Sequence, residues 1–161
     1  MLQTLKAVAL LLMALVMITG CQKKEESRKV TEGLQTQKPK KASVIVVPDS
    51  VKGKWKAVKI ALTDKTASKE AVYSVGIGSR FSIPDTRLSI VVENFLPDFT
   101  MNGTVMTSQS NAPRNPAARV RIYEGGQEIF NGWLFSLYPT THAVQHPRYG
   151  FTLVGFTPSG A

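Results

Sequence analysis

The sequence predicts an all-β domain, a small antiparallel sandwich or barrel, and three observations carry that expectation. Several short segments alternate apolar and polar residues with a period of two. The pair Gly125-Gly126 separates two such segments, and a tight hairpin turn there needs positive φ. Between Ser43 and Thr140 no segment sustains the apolar stripe of an amphipathic helix.

Taken in order, Val44 to Val47 is a short apolar run ended by Pro48. Val58, Ile60 and Leu62 alternate with Lys59 and Ala61, and Thr63-Asp64-Lys65 reads as the turn after them. Val72 to Val75 forms the next strand, broken by Gly76 and Gly78. Leu88, Ile90 and Val92 alternate against Ser89, Val91 and Glu93. Thr107 to Pro116 consists almost wholly of turn-forming residues and is expected to be an exposed loop. Arg119 to Tyr123, Ile129-Phe130, Gly132 to Phe135 and Tyr149 to Leu153 complete the strands. One helical turn is expected within Thr140 to Gln145, between Pro139 and Pro147.

The chain divides into residues 1–20, 21–42 and 43–161. Lys6 precedes an almost unbroken apolar run from Ala7 to Met17, which is too short to cross about 30 Å of hydrocarbon. Ile18-Thr19-Gly20-Cys21 follows and resembles the lipobox of bacterial lipoproteins. That resemblance implies cleavage before Cys21 and acylation of its sulfur, so the lipid bilayer becomes a partner through Cys21. The expected location is the cell envelope, facing the periplasm. Gln22 stands where an aspartate signals inner-membrane retention in enteric bacteria, so the outer membrane is expected. Cys21 is the chain's single cysteine, and its acylation leaves no thiol for a disulfide, a nucleophile or a metal.

Of the 20 lysines and arginines only Lys6 precedes Cys21, leaving 19 bases against 11 acids. Export places this charge away from the genome, so no nucleic acid is expected as a partner; anionic headgroups or envelope polymers fit better. Residues 22–42 hold seven bases, three acids and few apolar side chains, the composition of a disordered tether. As a random coil they would span roughly 25 Å.

Candidate binding residues concentrate near the C-terminus: Trp133, Tyr138, His142, His146 and Tyr149. His142 and His146 stand four apart, a spacing that on a helix puts two imidazoles on one face. Pro147 disfavours helical backbone at His146, and no carboxylate follows Glu128. A structural zinc site wants four ligands, so no metal and no cofactor is expected. Glu93 and Asp98 are weighed as an acid pair, although their spacing does not require them to meet. No nucleophile elbow or phosphate-cradling loop is present, and no enzyme activity is expected. Trp133, Phe135, Tyr138, Tyr149, Phe151 and Phe156 form a dense aromatic group. Trp133 and Phe135 share one face of a strand and are expected to face the core, with Leu134 on the other face and Tyr138, His142 and His146 at the core's mouth.

Phe130-Asn131-Gly132-Trp133-Leu134-Phe135, then Pro139, then His146-Pro147-Arg148-Tyr149, resembles the signature of a bacterial family of exported proteins of unknown function. Its members show a Gly-Trp-(Met/Leu)-Phe stretch, a proline and then His-Pro-x-Tyr. The resemblance spans Val58 to Phe156. The family's better known members carry a cysteine pair that this chain lacks, and Gln145 and Gly150 replace acidic residues beside His-Pro-x-Tyr. A second resemblance joins Val92-Glu93-Asn94-Phe95-Leu96-Pro97-Asp98-Phe99 and the segment from Ser108 to Ala117, with its Asn115-Pro116-Ala117 strand entry, to the extracytoplasmic part of ResB-type cytochrome c assembly proteins. Two functions are therefore expected in competition. One is a lipid-anchored binding or scaffolding module for an envelope protein or polymer; the other is an accessory to cytochrome c assembly or metal handling.

Overall fold

A computed structural model describes residues 42–160. Cys21 and the residues expected to form the signal segment and the tether, as far as Lys41, lie outside the described residues. Ten strands follow in order: β1 (Val44–Val46), β2 (Trp55–Asp64), β3 (Lys69–Gly76), β4 (Arg80–Ser82), β5 (Leu88–Leu96), β6 (Phe99–Asn102), β7 (Val105–Ser108), β8 (Ala117–Glu124), β9 (Gln127–Phe135) and β10 (Tyr149–Pro158). They form three sheets, ordered β10-β2-β3, β4-β5-β8-β9 and β1-β7-β6. The described residues contain no helix, and the sheets pack on one another without closing into a barrel.

The first two sheets face each other across the larger core. Val58, Ile60 and Leu62 of β2 and Phe151 and Leu153 of β10 meet Leu88, Ile90 and Val92 of β5 and Val120 and Ile122 of β8. The alternation read from the sequence is the pleat of these strands, since every second side chain leaves water. The turn after β2 begins two residues later than expected, at residues 65–68. Asp64 organises it: its Oδ1 accepts from Thr66 N–H at 3.0 Å, Thr66 Oγ1 at 2.7 Å and Ala67 N–H at 3.1 Å. The Gly125-Gly126 turn between β8 and β9 is as expected, with φ of +57° and +88° at the two glycines. Positive φ at both central positions is what a type I′ hairpin demands.

The third sheet departs from the sequence reading. The segment expected to be loop from Thr107 begins inside β7, paired with β6 in an antiparallel hairpin. Its signal was Asn102-Gly103, with Gly103 at φ +61° in the first central position of a two-residue turn. β1 adds to β7 in parallel, Ile45 opposite Met106, the one parallel strand pair among the described strands. The rest of the supposed loop is tied down rather than free. Asp98 N–H donates to Ser108 Oγ at 2.9 Å, Ser110 Oγ donates to Asp98 Oδ2 at 2.7 Å, and Asn115 Nδ2 donates to the Phe99 carbonyl at 2.8 Å.

This third sheet covers one end of β5, β8 and β9 on the side away from the larger core. Leu96, Ala117 and Trp133 are buried there, with Ile45, Val47, Phe99, Met106 and Phe135 packed against them. Their immediate neighbours Phe95, Ala118 and Leu134 point the opposite way into the larger core. A register shift between Val92 and Asn94 re-aims β5, so the even-numbered residues that faced the larger core before it face outward after it. The end of the four-stranded sheet is thus dry on both faces.

Candidate functional site

The side chains that face the third sheet build an open cleft of about 1000 Å3. Phe99, Met101 and Met106 of the β6–β7 hairpin form one wall, Trp133 and Phe135 the floor, and Arg119, Asn131 and His142 the polar margin. The Trp133 indole N–H donates to Met106 Sδ at 3.2 Å. Phe99 packs edge-on against Trp133, with ring centres 5.0 Å apart, and against Phe135 at 5.2 Å. Such edge-to-face contacts fix ring orientation beyond what area burial alone supplies.

The structure corrects the expected facing of this strand. Leu134 enters the larger core, whereas Trp133 and Phe135 belong to the smaller one. Alternation does separate them onto two faces, but both faces are covered. The signal was the unbroken triplet Trp133-Leu134-Phe135, because a strand with one wet face does not carry three large apolar residues in a row.

The two histidines part company. The segment between Pro139 and Pro147 forms a turn rather than a helix, with Thr141 N–H donating to the Tyr138 carbonyl at 3.0 Å. Val144, between the histidines, is buried in the larger core. His142 is exposed at φ +54° and lines the Trp133 cleft. His146 lines a different cleft, of about 640 Å3, with Glu124, Arg87 and Tyr149. Its Nδ1 accepts from the backbone N–H groups of Arg148 at 3.1 Å and Tyr149 at 2.9 Å, which places the ring proton on Nε2, 3.3 Å from Glu124 Oε2. Lys65 Nζ donates to the His146 carbonyl at 2.8 Å.

His146-Pro147-Arg148-Tyr149 therefore works as a clasp that locks the start of β10 to β2 and β8. Arg148 closes it with Nε and Nη2 on Asp64 Oδ2 at 3.0 and 2.7 Å. The Arg148 guanidinium first, and the Thr66 hydroxyl second, hold the Asp64 carboxyl well below the usual carboxylate range. Tyr149 is buried with its ring 5.2 Å from that of His146. Tyr138 stands 58% exposed and outside the lining of the Trp133 cleft.

The remaining aromatics disperse as well. Phe156 joins Trp55 and Phe95 at ring separations of 5.1 and 5.3 Å, and Phe151 enters the larger core. The carboxylates weighed as an acid pair also diverge. Glu93 meets Arg121 at 2.7 Å and Arg119 at 3.6 Å on the outer face of β8, while Asp98 is buried against Ser110.

Sequence reasoning thus missed Phe99, Met101, Met106 and Arg119, the residues that turn Trp133 from a core side chain into the floor of a cleft. Comparison of the chain with protein-family models, with curated proteins and with solved structures finds no match.

Proposed function

We propose that this chain is an envelope lipoprotein, held at the membrane through acylated Cys21, whose β domain is a binding module and not an enzyme. The observation that supports the binding role is the cleft floored by Trp133 and Phe135. It is open, largely apolar and margined by a few polar groups, the make-up of a ligand site. The periplasm-facing location rests on the lipobox resemblance alone, and the expected tether would set the reach of the domain from the bilayer.

Two experiments test the two halves. Replacing Cys21 with Ser removes fatty-acid labelling and cleavage at that residue, and a variant that still carries label overturns the anchoring. For the binding half, a photo-crosslinking side chain is placed at position 101 or at position 72 of the membrane-bound chain. Met101 is 51% exposed at the cleft and Val72 is 54% exposed on β3 outside its lining, so exposure is matched. A discrete adduct with an envelope protein or polymer is expected from position 101 alone. Equal yields at both positions, or none at either, overturn a cleft-specific macromolecular partner. Of the two accessory roles, metal handling is the one with a specific observation behind it: two thioethers in this cleft.

A further inference from the structure

We propose that Met101, Met106 and His142 form a site for a soft monovalent cation, Cu(I) or Ag(I), beside the Trp133 ring. The proposal shares the cleft with the reading above. Cation binding is measured on the purified chain and cross-linking in the envelope, so either can fail without the other.

Register brings the sulfurs together. Met101 and Met106 are directly opposite partners in the β6–β7 ladder, which puts both side chains on one face of the hairpin with Cβ atoms about 5 Å apart. The chain has five methionines, and Met1, Met13 and Met17 fall within the first twenty residues. All the thioethers of the β domain are therefore in this one pair. Packing accounts for Met106, which lies against the smaller core, but not for Met101, which keeps about half its surface in water.

The other donor is an available imidazole. The chain has two histidines. His146 spends its Nδ1 on two backbone N–H groups and faces Glu124 through Nε2. His142 is exposed, lines the cleft with the methionines, and sits on a turn in the left-handed region. Trp133 orients the second sulfur: its N–H takes one lone pair of Met106 Sδ at 3.2 Å, leaving the other for a metal. Its ring lines the same cleft, and an aromatic face attracts a cation placed over it.

Donor chemistry selects the ion. Neutral, polarisable thioethers favour Cu(I) over oxygen-seeking cations, and imidazole suits copper as well. The lining carries no carboxylate, so a hard dication finds no anionic oxygen donor there. Zinc wants four ligands of N, O or thiolate type, and the lining offers one imidazole. Among the described residues no three His, Cys, Asp or Glu side chains gather, so no competing site for such ions is built.

The test uses the chain from position 21 onward with Cys21→Ser, so that neither a thiol nor the three methionines of the first twenty residues compete, in chloride-free buffer. Silver nitrate is titrated while tryptophan fluorescence is followed, and Cu(I) is then measured anaerobically against a coloured chelator. One equivalent is expected to quench with Kd on the order of 1 μM or tighter. Met101→Leu conserves volume at a half-exposed position and His142→Gln alters an exposed side chain, so both should keep the wild-type melting temperature. Each is expected to weaken Ag(I) by at least about tenfold, the loss that even an outer-shell change produces at metal sites. Zn(II) should leave the fluorescence unchanged. Absence of Ag(I) binding by the parent chain, or parental affinity in either variant, overturns the proposal.

Discussion

The two cores of this domain differ in how they are closed. The larger lies between sheets whose central strands run eight to ten residues, and Val58, Ile60, Ile90, Val120 and Ile122 show no solvent exposure there. The smaller is roofed by strands of three and four residues; Val44 and Val46 on the outer face of that roof, and Met101 at its cleft edge, stay about half exposed. Long strands paired on both sides share many ladder bonds, so opening one costs nearly the whole fold. A short hairpin on the flank opens at lower cost, and ligand-adapting segments are drawn from such regions. The cleft lies at the smaller core for that reason.

The largest effect should come from the larger core. Ile60→Ala is expected to destabilise by about 4 kcal/mol in denaturant unfolding, because the surrounding strands cannot close the cavity. Trp133→Ala should cost about 3 kcal/mol, the low end for a buried aromatic, since the β6–β7 hairpin can settle toward the gap. A loss for Trp133 above that for Ile60 would erase the contrast between the cores. Native-state hydrogen exchange sharpens it independently: amides of β6 and β7 should exchange through an opening cheaper than global unfolding, and those of β2 and β8 through global unfolding. Equal protection in all four strands would show a single cooperative core.

The histidines extend the contrast to polar groups. His146→Ala strands two backbone N–H groups at the clasp and should cost about 1–3 kcal/mol. His142→Ala, on the exposed margin of the cleft, should stay within about 0.5 kcal/mol. Equal losses would mean that His142 is also a structural group.

Asp64→Asn gives the smallest effect and a characteristic pH dependence. The Asp64 carboxyl is depressed by Arg148, so its contribution is fully present above the ordinary aspartate value of about 3.9 and fades as pH falls below it. The melting temperature of the variant should therefore lie below wild type at pH 6 and approach it as pH is lowered toward 2. A gap undiminished between pH 6 and pH 2 would show that the clasp acts through geometry and not through the ion pair.

Much of the strand content was legible, because alternation is a local property that each segment carries in its own residues. Val58 to Leu62, Leu88 to Val92 and Arg119 to Ile122 read correctly, as did the turn at Gly125-Gly126. The β6–β7 hairpin was overlooked although Asn102-Gly103 marked it, since the polar run from Thr107 to Pro116 outweighed a strand of four residues. Of the candidate residues expected to gather around one core mouth, Trp133 and His142 line one cleft, while His146 and Tyr149 belong to the clasp and Tyr138 to neither cleft lining.

By itself the sequence determined the period-two strands, the tight turns at glycine and the candidate lipid anchor at Cys21. Each is read from a few neighbouring residues of chain. Tertiary structure decided which faces are dry, that Leu134 and Trp133 serve different cores, that His142 and His146 face different clefts, and that Met101 and Met106 stand over Trp133. Those outcomes depend on which distant strand comes to lie over a face. Strand alternation says that a side chain must leave water, but it carries no information about what covers it.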